Sequence, residues 1–330
     1  MDCAETDHNE YYWIMHGIFI VSLPIYSIAI IALLQTKSPY FEKYKLFLIW
    51  HTSTNLLAEL LNSWFLIPVV HVNLPILRFT GILSHWGFSG LFQFFVIGTM
   101  IYLTAYSVLE MFMFRFRASL FNYKSTYFYI YLKANIYLFR FAMLCFLTLN
   151  ICTYSFAIDQ QTVNKYSLSL KFPDAPSIIL CYTVIASAPF ADPATMFNVL
   201  IWLSVVIVTL TSTIATTVYL QRNLRENEHY SETVVRMHKM LLITLSIQTA
   251  IHGIMLGIPN ALFIFAAFFG VRHESVAKLS FIFLTTHGLA STIAMVVLTK
   301  PIKIAAMELF KCRSGDKVVE TDNRRMSRKL

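Results

Sequence analysis

Residues 286–303 read THGLASTIAMVVLTKPIK, and this stretch decides the class of the protein. From Thr286 to Thr299 it holds no acid, lysine or arginine, yet it carries His287, Ser291 and Thr292. With the apolar residues before it, the run is long enough for a helix to cross a bilayer, since lipid leaves the backbone no partner but itself. The imidazole and the hydroxyls are costly against hydrocarbon, so they must face something other than lipid.

The rest of the chain is of the same kind. Of 330 residues, 57% are hydrophobic and 13% charged, and the mean hydropathy is +0.60, far from soluble averages. Seven apolar segments of spanning length occur, at about 12–34, 46–70, 86–114, 134–158, 197–220, 240–269 and 279–298. The expected fold is an all-α membrane protein, a seven-transmembrane helix bundle. No residue before Lys37 is lysine or arginine, so the first segment is expected to be a retained span rather than a cleaved leader. Residues 1–11 then form an N-terminal segment, 12–313 the bundle with a short juxtamembrane helix, and 314–330 a solvated, disordered tail.

The net charge of +8 does not point to nucleic acid, because the basic residues sit in short runs between spans. Their distribution predicts direction. Segments 35–45, 115–133, 221–239 and 299–330 carry 20 Lys/Arg in 81 residues, against 5 in 73 for 1–11, 71–85, 159–196 and 270–278. Positive residues stay on the cytoplasmic side, which places the N-terminus outside and the C-terminus inside. The one left over, Arg140, lies in the fourth span near its inner end.

Polar residues inside the spans follow helical spacing. In residues 51–63, HTSTNLLAELLNS, His51, Asn55 and Glu59 recur every four residues; Gln248 and His252 repeat that step, as do His287 and Ser291. Three helices therefore offer polar stripes to one another, either as structural glue or as a switch. Glu59, a carboxylate at membrane depth, must be protonated, paired or near water, and is the strongest candidate for a conformational role. Pro259 is a candidate hinge. Trp64, Trp86 and Phe92, with Gln93 beside them, are the candidate walls of an outer cavity for a small organic ligand. At the inner ends, Glu110, Arg115, Arg117, Arg222 and Arg225 are the candidates for contact with a cytoplasmic partner. Cys3 and Cys181 are the only cysteines in the segments placed outside, and a disulfide between them is chemically permitted. Cys312, after an amphipathic IKIAAMELFK, is positioned for palmitoylation or stays a free thiol.

Catalytic signatures do not occur: HExxH, GxSxG, a phosphate-binding Gly-rich loop and paired membrane aspartates are all missing, so neither enzyme activity nor a cofactor is expected. No Cys/His spacing suits zinc.

Four stretches carry a family resemblance. QTKSPYFEKYKLFLIWH (35–51), PVVHVNLPILRFTGILSHWGFSGLFQ (68–93), HKMLLITLSIQTAIHGIMLGIP (238–259) and HGLASTIAMVVLTKPIK (287–303) resemble the nematode serpentine chemoreceptors, most closely class H, with class I nearby. The rhodopsin-type DRY and NPxxY marks are absent. His252 stands where the family's IQxxIP has proline, PIK stands for PYR, and the motif after the third span reads Met113-Phe114-Arg115. The resemblance implies a G-protein-coupled chemosensory receptor in the plasma membrane, in sensory-neuron cilia, with a small-molecule ligand and a heterotrimeric G protein as partners beside the lipid bilayer. From the residues alone, a seven-span channel or transporter with a polar interior path remains the alternative.

Overall fold

The computed structural model describes residues 3, 10–36, 42–71, 76–119, 124, 126–174, 176–186, 193–226, 232–259, 261–262, 265 and 273–315. Long helices dominate them: α1 (Glu10–Gln35), α2 (Glu42–Leu60), α4 (Gly90–Ser119), α5 (Tyr127–Lys171), α7 (Pro193–Glu226), α8 (Glu232–His252) and α9 (Glu274–Leu298). The short α3 (Ile82–His85) and α6 (Pro176–Ile179) lie in the connections, and α10 (Lys300–Gly315) follows α9. Among the described residues, five helical segments, Glu10–Gln35, Gly90–Ala118, Tyr127–Cys152, Lys239–Gly257 and Glu274–Leu298, are long and apolar enough to cross a membrane. The stripe of His51, Asn55 and Glu59 makes α2 more polar than these, and burial of all three shields it from lipid.

Helix boundaries depart from the apolar runs where the chain must turn. The segment at 46–70 leaves the helix early: α2 widens into a π-helical turn, Leu61–Leu66, and Pro68–His71 becomes strand β1. Ile67 makes the break with φ 39°, and its N–H bonds the Asn62 carbonyl at 3.2 Å. A β-branched residue in that conformation is strained by on the order of 1–3 kcal/mol, held by its complete burial. The chain returns as β2 (Ile76–Phe79) and packs so closely that a Cβ on Gly81 would lie 2.4 Å from the Phe65 carbonyl carbon. Only glycine fits there. The helix expected from residue 86 starts at Gly90 instead, because Trp86 and Gly87 form a turn in which Gly87 takes φ +82°.

A small antiparallel sheet, not anticipated from the sequence, closes this end of the bundle. Its order is β1-β2-β3, with β3 at Val184–Ala186; Pro68 pairs with Phe79 and Arg78 with Val184. The 45-residue α5 supports it. At 1.5 Å per residue that helix is roughly 67 Å long, about twice the hydrocarbon thickness. Its extension beyond the apolar part bonds the loop: Lys165 Nζ donates to the Cys181 carbonyl at 2.8 Å, and the Ala186 N–H donates to Gln161 Oε1 at 2.9 Å. A Cys3–Cys181 disulfide, with Cα atoms 5.3 Å apart, ties the N-terminal segment to the same loop.

The opposite end is closed by packing. Tyr44, Leu48, Phe112, Phe116 and Leu245 form its core, and α10 inserts Ile302, Ala305 and Ala306 into it while Ile304 and Met307 face outward. Residues 316–330, most of the expected tail, lie outside the described residues.

Candidate functional site

The polar stripes of α2, α8 and α9 meet in the middle of the bundle, and α1 and α4 join them. His51, Asn55, Glu59, Gln248, His252, His287 and Ser291 are all buried. Glu59 is held from α1: Ser22 Oγ donates to Oε1, and Tyr26 Oη donates to Oε2 at 3.0 Å. Both partners lie one helical turn apart around Pro24, so each reaches one carboxylate oxygen. Among the described residues no basic side chain pairs with Glu59; two hydroxyls satisfy it.

His51 is held from two sides. Asn55 Nδ2 donates to His51 Nε2 at 3.1 Å, and His51 Nδ1 lies 2.7 Å from Ser107 Oγ, which itself donates to the Thr104 carbonyl at 2.7 Å. Since Nε2 accepts and Ser107 spends its proton on a carbonyl, the imidazole proton sits on Nδ1. The same tautomer follows for two more rings. His252 Nδ1 is 2.7 Å from the Gln248 carbonyl and His287 Nδ1 is 2.5 Å from the Leu284 carbonyl, and a carbonyl can only accept. The three imidazoles line up, His51 to His252 at 5.1 Å and His252 to His287 at 5.2 Å between centroids. Gln248 Nε2 closes the network by donating to Ser291 Oγ at 3.3 Å.

Beside this row lies a cleft lined by Asn62, Thr104 and His287 among the apolar Ala58, Ile97, Met100, Ile101, Leu256 and Leu284. It offers about 10 Å³ for the centre of a water-sized sphere, roughly the room one water needs. Leu256 belongs to a π-helical turn, Gly253–Gly257, that continues α8 directly after His252. Such turns shift the side chains that follow, and they recur at functional sites. Pro259, the candidate hinge, is buried just beyond this turn.

The four candidate ligand-pocket residues do not converge. Trp86 is 65% exposed and meets Phe65 edge to face, while Phe92 stacks on Phe88 at the surface. Trp64 packs on His16 and Phe19 of α1. Gln93 is buried and engaged, its Nε2 donating to Ser84 Oγ at 3.1 Å and to the Phe88 carbonyl at 3.0 Å, so it pins α4 to α3.

At the other end, Glu110 accepts from Tyr106 Oη at 2.5 Å and pairs with Arg140 Nη2 at 2.8 Å, and Arg140 Nε also donates to Tyr106. Arg140, which the sequence placed in the fourth span near its inner end, is thus the partner of Glu110 across α4 and α5. Arg115 instead turns inward, buried with its guanidinium 3.4 Å above the Tyr44 ring, a cation–π contact. Arg117 and Arg222 are exposed. The side chains of Arg225 and Cys312 lie outside the described residues.

Ser22, Tyr26, Thr104 and Ser107 were not singled out from the sequence. Their signal was present: Ser22 and Tyr26 are four apart on α1, Thr104 and Ser107 three apart on α4. Hydroxyls are common in membrane helices, and spacing alone does not say which face another helix.

Residues 7–312 match a family model described as serpentine type 7TM GPCR chemoreceptor Srh. No curated protein matches the chain.

Proposed function

The chain belongs to the Srh family of serpentine 7TM GPCR chemoreceptors, and from that premise we propose how this receptor is oriented and how its core switches. It is a multi-pass membrane chemosensory receptor, of a class that signals rather than catalyses. The sheet end faces outside and the basic end faces the cytoplasm, where a heterotrimeric G protein docks near Arg117 and Arg222. Two independent features support this direction. One is the fourfold bias of Lys and Arg toward the segments at the other end. The second is the Cys3–Cys181 disulfide at the sheet end, which suits an oxidising exterior. The plasma membrane, in sensory cilia, is the proposed location.

The observation that carries the mechanism is the buried polar network joining five helices. Four side-chain bonds cross between helices: Ser22 and Tyr26 to Glu59, His51 to Ser107, and Gln248 to Ser291. Each such bond is worth about 0.6 kcal/mol on average, so exchanging all four is worth roughly 2–3 kcal/mol, or about fiftyfold in a two-state equilibrium. That is the scale on which a small ligand can shift a bundle between arrangements. A ligand does so only by binding one arrangement more tightly. The π turn and Pro259 give α8 the two backbone irregularities about which its outer part moves relative to its inner part.

Antibody access to an N-terminal tag on intact cells, with a C-terminal tag revealed only after permeabilisation, tests the direction. Nucleotide exchange on a G-protein heterotrimer, measured with Glu59→Ala at matched surface expression, tests the switch. Unchanged ligand-dependent exchange would remove Glu59 from the mechanism, and ligand-gated conductance without any exchange would favour a channel.

A further inference from the structure

The long helix α5 buries one face and leaves the other bare along most of its length. Phe139, Phe146, Ala157 and Gln161 turn toward α4, α7 and the loop that carries β3. On the far side Leu138, Phe141, Phe156, Val163, Tyr166 and Leu170 are all exposed, and at 3.6 residues per turn they fall within about 80° of one another. Cys145, Thr148 and Cys152, exposed too, continue the line between its lower and upper parts. Successive positions are three or four residues apart, the spacing of a seam along which two helices pack. Lipid covers only the lower part. Asp159, Gln160, Gln161, Asn164 and Lys165 mark the exit from hydrocarbon. From Asp159 to Lys171 the helix rises roughly 18 Å, past a headgroup layer about 5–8 Å deep. Tyr166 and Leu170, 62% and 68% exposed, therefore stand in water, flanked by the exposed and polar Thr162 and Ser167.

We infer that this stripe is the interface of a parallel homodimer, lying against the same stripe of a second copy. The occupant must cover the line both within the bilayer and well above it. A membrane holds every copy with the same end up, so a second α5 reaches the same height in the same direction. About a two-fold axis along the membrane normal each residue meets its own counterpart, and apolar meets apolar at Val163, Tyr166 and Leu170. Removal of these side chains from water drives the upper contact. Within hydrocarbon that drive is absent, and the small Cys145, Thr148 and Cys152 act instead by letting the two backbones approach closely. The six large side chains, each roughly two-thirds exposed, together offer roughly 800 Å² per protomer, what a standard interface takes from each partner. Asp159 is the one charge on the stripe. It faces its own counterpart, and repulsion between the two carboxylates keeps the pair reversible.

Cysteine cross-linking of the full chain in isolated membranes tests the pairing. In a background with Cys145, Cys152 and Cys312 replaced by serine, Val163→Cys, Tyr166→Cys and Leu170→Cys should each yield, on oxidation, a disulfide-linked species of twice the receptor's mass. Thr162→Cys, on the neighbouring face, should yield little or none. Equal linking at all four positions would show random collision, and no linking at any would show that the stripes do not meet. An adduct of any other mass would show that a different protein covers the stripe. Each of these three outcomes overturns the proposal. A second measurement leaves the cysteines native. Receptor labelled with two fluorophores in lipid vesicles should lose energy transfer on dilution into lipid. Leu170→Glu should move the half-point about tenfold or more to higher receptor density, and Asp159→Asn should move it to lower density. Both side chains are exposed, so the fold tolerates the changes, which circular dichroism of the same samples checks. A half-point that neither variant moves would equally overturn the interface.

Discussion

Replacing Gly288 by alanine sets helix propensity against packing, and the structure says which wins. Gly288 lies in the interior of α9, where alanine is favoured over glycine by about 1 kcal/mol. An added Cβ, however, would sit 2.6 Å from Asn55 Cβ and 2.6 Å from Tyr26 Oη. Carbon atoms pack at about 3.5–4.0 Å, so roughly 1 Å of space is missing. Asn55 Cβ is one bond from the α2 backbone, so α2 itself must move, and Tyr26 can yield only by leaving Glu59. Overpacking of this kind costs about 1–3 kcal/mol, and losing the Tyr26–Glu59 and Asn55–His51 bonds adds about 1 kcal/mol. The net expectation for Gly288→Ala is a loss of roughly 1–3 kcal/mol. The control is Gly17→Ala in α1, where nothing lies within 4 Å of the new Cβ and the propensity gain of up to about 1 kcal/mol stands alone. Unfolding midpoints of the two variants in detergent, followed by circular dichroism, should therefore move in opposite directions. A Gly288→Ala receptor as stable as wild type would refute the close contact of α9 with α1 and α2, and with it the geometry of the core.

Four more outcomes follow from the structure. Glu59→Ala should destabilise by about 1–3 kcal/mol more than Glu59→Gln, because it leaves the Tyr26 hydroxyl without its carboxylate acceptor, while Ser22 keeps only the Phe19 carbonyl; equal stabilities would mean the carboxylate is not holding α1. Cys3→Ser, Cys181→Ser and the double variant should be equally destabilised, by at most about 5 kcal/mol for a loop spanning most of the chain, and additive losses in a double-mutant cycle would break the pairing. Burial pushes the Lys165 ammonium down to about 8; between that value and its ordinary one near 10.4 the unfolded chain binds more protons, so stability should rise as pH climbs through this window, be flat below it, and lose the rise in Lys165→Met. Arg140→Ala should change stability by less than about 1 kcal/mol, because the Arg140 side chain is 55% exposed, and a larger loss in thermal denaturation would show that the pair with Glu110 is shielded.

The seven-helix plan was legible because each span announces itself locally, through length and hydropathy, and the four-residue steps of His51, Asn55 and Glu59, of Gln248 and His252, and of His287 and Ser291 mark the inward faces. The ends were less legible. Val69, Val70 and Leu77 are as apolar as any span residue, so hydropathy alone ran the second segment through what is strand β1. Only the left-handed Ile67 and the close return at Gly81 show why the helix stops. Trp64, Trp86 and Phe92 share a composition and not an environment: Trp86 and Phe92 lie at the surface while Trp64 packs on α1, and an aromatic near the end of a span serves anchoring as readily as binding, so composition alone does not separate the cases.

Sequence alone thus determined the class of the protein and the residues that must avoid lipid, because both are properties of single helices in hydrocarbon. Which polar stripe meets which is a matter of rotation and height between helices far apart in the chain, and packing sets it. Tertiary structure alone decided that Glu59 rests on Ser22 and Tyr26, that Glu110 takes Arg140 rather than Arg115, and that His287 and Thr104 look into one cleft. The sheet built from residues 68–71, 76–79 and 184–186 belongs with these: β1 and β2 are neighbours in the chain, but β3 pairs with β2 from more than a hundred residues away, and no local pattern records a partner at that distance.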